Sequence, residues 1–110
     1  MESRSFENRV EPRRELDVYM NKFMGEEPYM VRTADISTTG IYLHKLIEPD
    51  LAEGTTVSLE FRLPGSREVI WARGAVMREG QYWGAKGVGI WFTILPRHYR
   101  CLIERYINAN

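Results

Sequence analysis

The sequence predicts a mainly β fold: a six-stranded barrel preceded by a short flexible arm and closed by one C-terminal amphipathic helix. Three observations carry that expectation. Short apolar runs alternate at period two, Gly, Pro and acidic turn signals separate them, and after Pro96 the period changes to that of a helix.

The first fourteen residues come before the alternation begins. They hold Arg4, Arg9, Arg13 and Arg14 with Glu2, Glu7 and Glu11, and beyond Met1 only Phe6 and Val10 as larger apolar groups. Such a segment buries too little surface to offset its ordering entropy, so residues 1–14 read as a mobile arm and 15–110 as the folded domain.

Leu16, Val18 and Met20 then alternate with Asp17 and Tyr19, as Val57, Leu59, Phe61 and Leu63 do with Ser58, Glu60 and Arg62. That is the pattern of half-buried strands. Further strands are expected at Met30–Thr33, Gly40–His44, Val69–Met77 and Gly87–Phe92, with turns at MGEEP, LPGSRE and REGQ. Six short strands at this spacing suggest a barrel.

From Pro96 the segment PRHYRCLIERYI sets Tyr99, Leu102, Ile103 and Tyr106 at i, i+3, i+4 and i+7, one apolar stripe. Pro96 suits the first helical turn, where its missing N–H would be unpaired anyway. An isolated helix of this length is marginal in water, so the stripe is expected to pack on the barrel.

Composition narrows the function. The chain has 110 residues, enough for one modest core and too few for a two-domain enzyme. Fifteen basic residues balance fifteen acidic ones, which argues against a general nucleic-acid or membrane surface. No apolar run reaches a membrane span and the N-terminus lacks a signal-peptide core, so a cytoplasmic protein without membrane insertion is expected. The single cysteine, Cys101, reads as a packing residue, and His44 and His98 lie far apart, so no metal or cofactor is expected. Walker, GxSxG and HExxH motifs are absent, and no catalytic residue is assigned.

What remains is a pair of short motifs. The arm carries RxxxR as Arg9-Val10-Glu11-Pro12-Arg13, and the second and third strands are joined through DxSxxG as Asp35-Ile36-Ser37-Thr38-Thr39-Gly40. Taken alone, the second reads as a tight turn, because Asp and Ser bond their own backbone locally and Gly takes positive φ at little cost. Taken with the GVGIWF strand at 87–92 and the terminal helix, the order and separation of these motifs resemble the PilZ domain family from about Arg9 to Ile107. The resemblance implies a six-stranded antiparallel barrel that acts as a non-catalytic receptor for the bacterial second messenger cyclic di-GMP. It also implies ligand-binding roles for Arg9, Arg13, Asp35, Ser37 and Gly40. Asn8 departs from the arginine or other larger residue often found there, a position the family associates with binding one ligand or an intercalated pair.

Ligand chemistry fits these residue types. A guanidinium fork bonds phosphate, or guanine O6 and N7, and its face stacks on a base. A carboxylate such as Asp35 accepts from guanine N1 and N2. Ser37 adds a hydroxyl, and Gly40 lets backbone come close where a Cβ would collide. Arg14 adjoins the motif as a further candidate contact, with Glu11 and Glu15 as competing partners. If Val88, Ile90 and Phe92 face the core, Trp91 faces outward, to stack on guanine, to meet a partner, or to lie half-covered by the arm or helix. Trp71 and Trp83 receive no assignment.

The expected function is a sensor that binds cyclic di-GMP and relays the signal to an effector protein by ordering its arm. The alternative is a ligand-independent adaptor using the same barrel. A barrel for single-stranded polynucleotide would need basic residues interleaved with exposed aromatics, and the acidic runs GEEP and EPDLAEG oppose it.

Overall fold

The computed structural model describes residues 12–44, 51–82 and 85–109. Seven strands and one helix follow in order: β1 (Arg14–Glu15), β2 (Tyr19–Met24), β3 (Glu27–Ile36), β4 (Gly40–His44), β5 (Thr56–Phe61), β6 (Ile70–Tyr82), β7 (Ala85–Ile94) and α1 (Arg97–Asn108). Antiparallel pairing runs β1-β3-β2-β5-β6-β7-β4, and β4 pairs again with β3. The pairing of β3 with β4 closes a six-stranded barrel, to which β1 adds two residues along the same edge of β3 as β2. Closure removes the exposed edges that would otherwise template pairing with another chain.

The ladder differs from the sequence expectation at its start. Leu16–Met20 was expected as one strand, but Leu16 to Val18 form an irregular link between β1 and β2. Thr33 explains how the link is tolerated. Its buried hydroxyl donates to Leu16 O at 2.6 Å and accepts from Val18 N–H at 2.9 Å, which satisfies backbone groups that the ladder skips. Arg14 lies in β1, so the ladder takes in a residue expected to belong to the arm. Residues 1–11, with Arg9, lie outside the described residues.

The turns follow their residues in two of three cases. Met24 pairs with Glu27 around Gly25, whose φ of 67° favours glycine. Pro64 and Gly65 form a turn closed by Ser66 N–H to Leu63 O at 3.0 Å, with Gly65 at φ 81°, the arrangement in which proline precedes a residue of positive φ. REGQ is not a turn: Arg78, Glu79, Gly80 and Gln81 pair with Gly89, Val88, Gly87 and Lys86. The β6–β7 hairpin extends past them to the pair of Tyr82 with Ala85, because each added pair satisfies backbone groups; Trp83 and Gly84 lie outside the described residues.

Leu16, Val31, Ile36, Ile41, Leu43, Leu59, Ile70 and Ile90 are among the buried residues that fill the barrel. Helix α1 starts one residue later than expected, with Pro96 as its cap. Ile103 is fully buried against the core, and Tyr99, Leu102, Tyr106 and Ile107 pack beside it. Burying a side chain of that size contributes about 1.5–3 kcal/mol, more than helix propensity alone supplies. At the other end of α1 from its C-terminus, His98 Nε2 pairs with Glu68 and ties the helix to the loop after Gly65.

On the outer face Arg32 donates from Nε to Asp17 Oδ1 at 2.6 Å and from Nη2 to Oδ2 at 2.8 Å. These hydrogen bonds, with the guanidinium charge, hold the Asp17 carboxyl below its ordinary value and push Arg32 up. A depressed carboxyl stabilises the fold above the ordinary carboxyl range, and that contribution is lost as pH falls through the folded value. Both partners are exposed, so the effect is small. Arg32→Gln is expected to lower the thermal midpoint slightly at pH 7, and the gap from wild type to close in acid below the ordinary Asp value of about 3.9. Thermal melts at stepped pH check it; a gap that persists in acid excludes the pair as its source.

Candidate functional site

Strand β3 carries the site through a defect in its ladder. Thr33 pairs with Leu43 of β4, but the next pair is Asp35 with Tyr42, leaving Ala34 as an extra residue. Without this bulge, Val31, Thr33 and Asp35 would all face the core. With it, Ile36 turns inward opposite Ile41, and Asp35 turns to the outer face beside Tyr42. The bulge aims the carboxylate away from the core.

Arg13 meets it there. Its Nε donates to Asp35 Oδ1 at 2.8 Å and its Nη2 to the same oxygen at 2.5 Å, while Nη1 donates to Ser37 Oγ at 3.2 Å. The Asp35 side chain is 9% exposed and that of Arg13 41%, so the pair is buried from the carboxylate side and open from the guanidinium side. The exposed part of the guanidinium is what an incoming anion would meet.

Ser37 lies behind this pair, at 0% exposure. Its Oγ also accepts from Thr39 N–H at 3.1 Å and Gly40 N–H at 3.2 Å, and its own N–H donates to Gly40 O at 2.9 Å. One hydroxyl therefore closes the turn and orients Arg13. Gly40 does not take the positive φ expected of it in the turn; its reason is packing, since a Cβ there would stand 2.5 Å from Ile90 O and β4 can lie against β7 only without one.

Arg13, Asp35 and Gly40 line an outer cleft of about 360 Å³ together with Tyr42, Met77 and Trp91. The volume falls within the range of small-molecule sites. Met77 reaches it through a second bulge, between the pairs of Val76 with Ile90 and Arg78 with Gly89. Val88, Ile90 and Phe92 are buried as the alternation required, and Trp91 is 49% exposed on the outer face. Tyr42 was missed by sequence reasoning. Its side chain occupies the space a Gly87 side chain would need, a Cβ there standing within 2.6 Å of two ring carbons and the hydroxyl oxygen. An aromatic paired across from a Gly-x-Gly strand is the signal that could have found it.

Arg14 points the other way, to the end of α1, and takes no part in the cleft. Trp71 is half-buried with the Arg73 guanidinium 5.7 Å from its ring. A larger hollow of about 730 Å³ lies between β2 and the loop after β5. It holds Asp17 and Glu60 and, of the basic residues, Arg62 alone, which suits an anion poorly. Among the described residues no cluster could hold a metal ion, and no helix is long and apolar enough to cross a membrane.

The barrel therefore carries on its outer face a cleft with an arginine at its rim and a half-exposed tryptophan in its lining. The chain belongs to the PilZ domain family, whose model matches residues 7–109, a family of non-catalytic cyclic di-GMP receptors. No curated protein matches it in sequence. Among solved structures it is similar to the Bacillus subtilis inhibitor of motility MotI/DgrA, at 16% identity and TM-score 0.80 over 92% of this chain and 50% of that one. It is similar to K. pneumonia MrkH, solved with c-di-GMP, at 16% identity and TM-score 0.71 over 92% of this chain and 51% of that one. Borreliella burgdorferi PlzA, also solved with c-di-GMP, matches at 16% identity and TM-score 0.64 over 94% and 42%. The chain thus spans about half the length of these proteins.

Proposed function

We propose that this chain binds cyclic di-GMP in the cleft between Arg13 and Trp91 and relays the signal to a protein partner through its N-terminal arm. The observation that carries the reading is the Arg13 guanidinium, held by Asp35 and Ser37 yet open to solvent at the cleft rim. A fork fixed in place loses less entropy on meeting phosphate or guanine than a free side chain would. Trp91 and Met77 offer apolar surface for a base, and Asp35 a carboxylate for guanine N1 and N2. Membership of a cyclic di-GMP receptor family, and relatives solved with that ligand, support the same choice.

Arg9 completes the reading from the sequence, four residues before Arg13. Arg13 is already held beside the turn of Ser37 to Thr39, and the sequence before it has only Phe6 and Val10 as larger apolar groups beyond Met1, so a contact of Arg9 with the same ligand would fix the arm across that turn. The arm so fixed would form the surface that an effector recognises.

Calorimetric titration with cyclic di-GMP, read beside tryptic digestion, tests both parts. Saturable binding and slower cleavage after Arg9 and Arg13 are expected. Absence of binding would leave the ligand-independent adaptor, and binding with unchanged cleavage would move the signal to the barrel or helix.

A further inference from the structure

Arg13 and Arg14 are neighbours with opposite tasks. Arg14 pairs with Ile36 and Glu15 with Asp35, so successive side chains leave β1 on opposite faces. Arg13 goes to the cleft, and Arg14 goes to the C-terminus of α1.

Arg14 is bound there by two kinds of contact. Its Nη1 donates to Tyr106 O at 2.6 Å and, longer, to Ala109 O at 3.4 Å. Its guanidinium carbon stands 4.2 Å from the centroid of the Tyr106 ring. The same tyrosine returns a bond, its hydroxyl donating to Glu15 O at 2.7 Å. The last carbonyls of a helix have no partners within it and carry its negative end, so a guanidinium is well suited to that position. Arg14 and Tyr106 together clasp β1 to the helix through a bond from each element to the other's backbone.

Strand β1 has only two residues, and its pairing with β3 alone is too short to fix the chain before it. We infer that Arg14 is a positioning residue: its clasp on the end of α1 fixes the backbone from which Arg13 reaches Asp35 and Ser37, and so sets the binding geometry of the cleft. The inference rests on the cyclic di-GMP reading for its ligand, but the clasp also acts on Arg13 without ligand. Coupling is reciprocal, so occupancy at Arg13 also changes how firmly the last turn of α1 is held.

Two readouts on the full chain test this: calorimetric affinity for cyclic di-GMP, and hydrogen exchange of the Arg13 Nε–H by NMR, a proton protected by its bond to Asp35. Arg14→Ala is expected to weaken binding about fivefold or more, within the usual span of coupling between sites, and to speed exchange of that proton. Tyr106→Phe keeps the ring and the carbonyl but removes the bond to Glu15, and a smaller change in the same direction is expected. Arg14→Lys keeps the charge without the fork, and should fall between wild type and Arg14→Ala. These two variants decide the matter should Arg14→Ala fail to fold. Unchanged affinity and unchanged exchange overturn the inference. Weakened affinity with the Arg13 proton still protected also overturns it, because Arg14 would then act on the ligand directly. If wild type binds no cyclic di-GMP, the exchange readout decides alone: faster exchange in Arg14→Ala upholds the clasp while the ligand reading fails, and unchanged exchange overturns both.

Discussion

Arg13→Ala is expected to weaken cyclic di-GMP binding by roughly tenfold to a hundredfold, while the barrel still unfolds in one cooperative transition. Hydrogen bonds to charged groups contribute about 1.5–3 kcal/mol each, and a tenfold change in affinity corresponds to about 1.4 kcal/mol. The loss falls on the ligand because the guanidinium is open on that side, and Arg13 is not among the residues that fill the core. Asp35→Ala is expected to weaken binding as well, by a different route. If its carboxylate accepts from guanine N1 and N2, the protein should bind the hypoxanthine analogue of the ligand, which lacks the N2 amino group, less tightly than the guanine form. Asp35→Ala should erase most of that preference, because a preference made by one hydrogen-bonding partner disappears with it. Calorimetry on the two variants and two ligands closes the cycle. Equal affinity of wild type and Arg13→Ala would put the site elsewhere, and a guanine preference that survives in Asp35→Ala would assign the base edge to another group.

Much of the fold was legible because period two and period 3.6 are local properties of the chain. Val88, Ile90 and Phe92 facing inward, with Trp91 outward, follows from alternation alone. The helix stripe ending at Tyr106 follows in the same way from its spacing. Alternation fails where the ladder inserts a residue. Nothing local marks Ala34 as a bulge, yet that bulge carries Asp35 from the core face to the cleft. The limits of REGQ as a turn have a similar cause, since a hairpin's length depends on what the partner strand can pair. Arg13 and Asp35 stand out in the sequence through their motifs, and the structure brings the two side chains together across 22 positions of sequence. The role of Arg14 was not legible, because its partners Tyr106 and Ala109 lie more than 90 positions away and contribute backbone oxygens that no motif records. Ser37 was legible as a residue, but its buried position behind Arg13 was not.

Gly40→Ala should destabilise the barrel, because the added methyl would stand 2.5 Å from the Ile90 carbonyl oxygen, a backbone atom that cannot rotate away. Extra volume forced into a packed interior costs about 1–3 kcal/mol, and each kcal/mol lowers the midpoint of a domain near this size by about 4–8 °C. Gly89 supplies the contrast. It borders the same cleft on β7, but a Cβ there comes no nearer than 3.7 Å to Tyr42 Cδ1 and 3.8 Å to Met77 Cβ, ordinary contact distances. Gly89→Ala is therefore expected to fold as well as wild type or slightly better, since alanine restricts the unfolded chain, while its methyl narrows the cleft and lowers ligand affinity. Thermal melts and calorimetry on the two variants separate the causes: strand packing requires the stability loss at Gly40, and ligand approach requires the affinity loss at Gly89. A Gly40→Ala protein as stable as wild type but unable to bind would reverse the assignment, because the close approach at that glycine would then be to the ligand and not to β7.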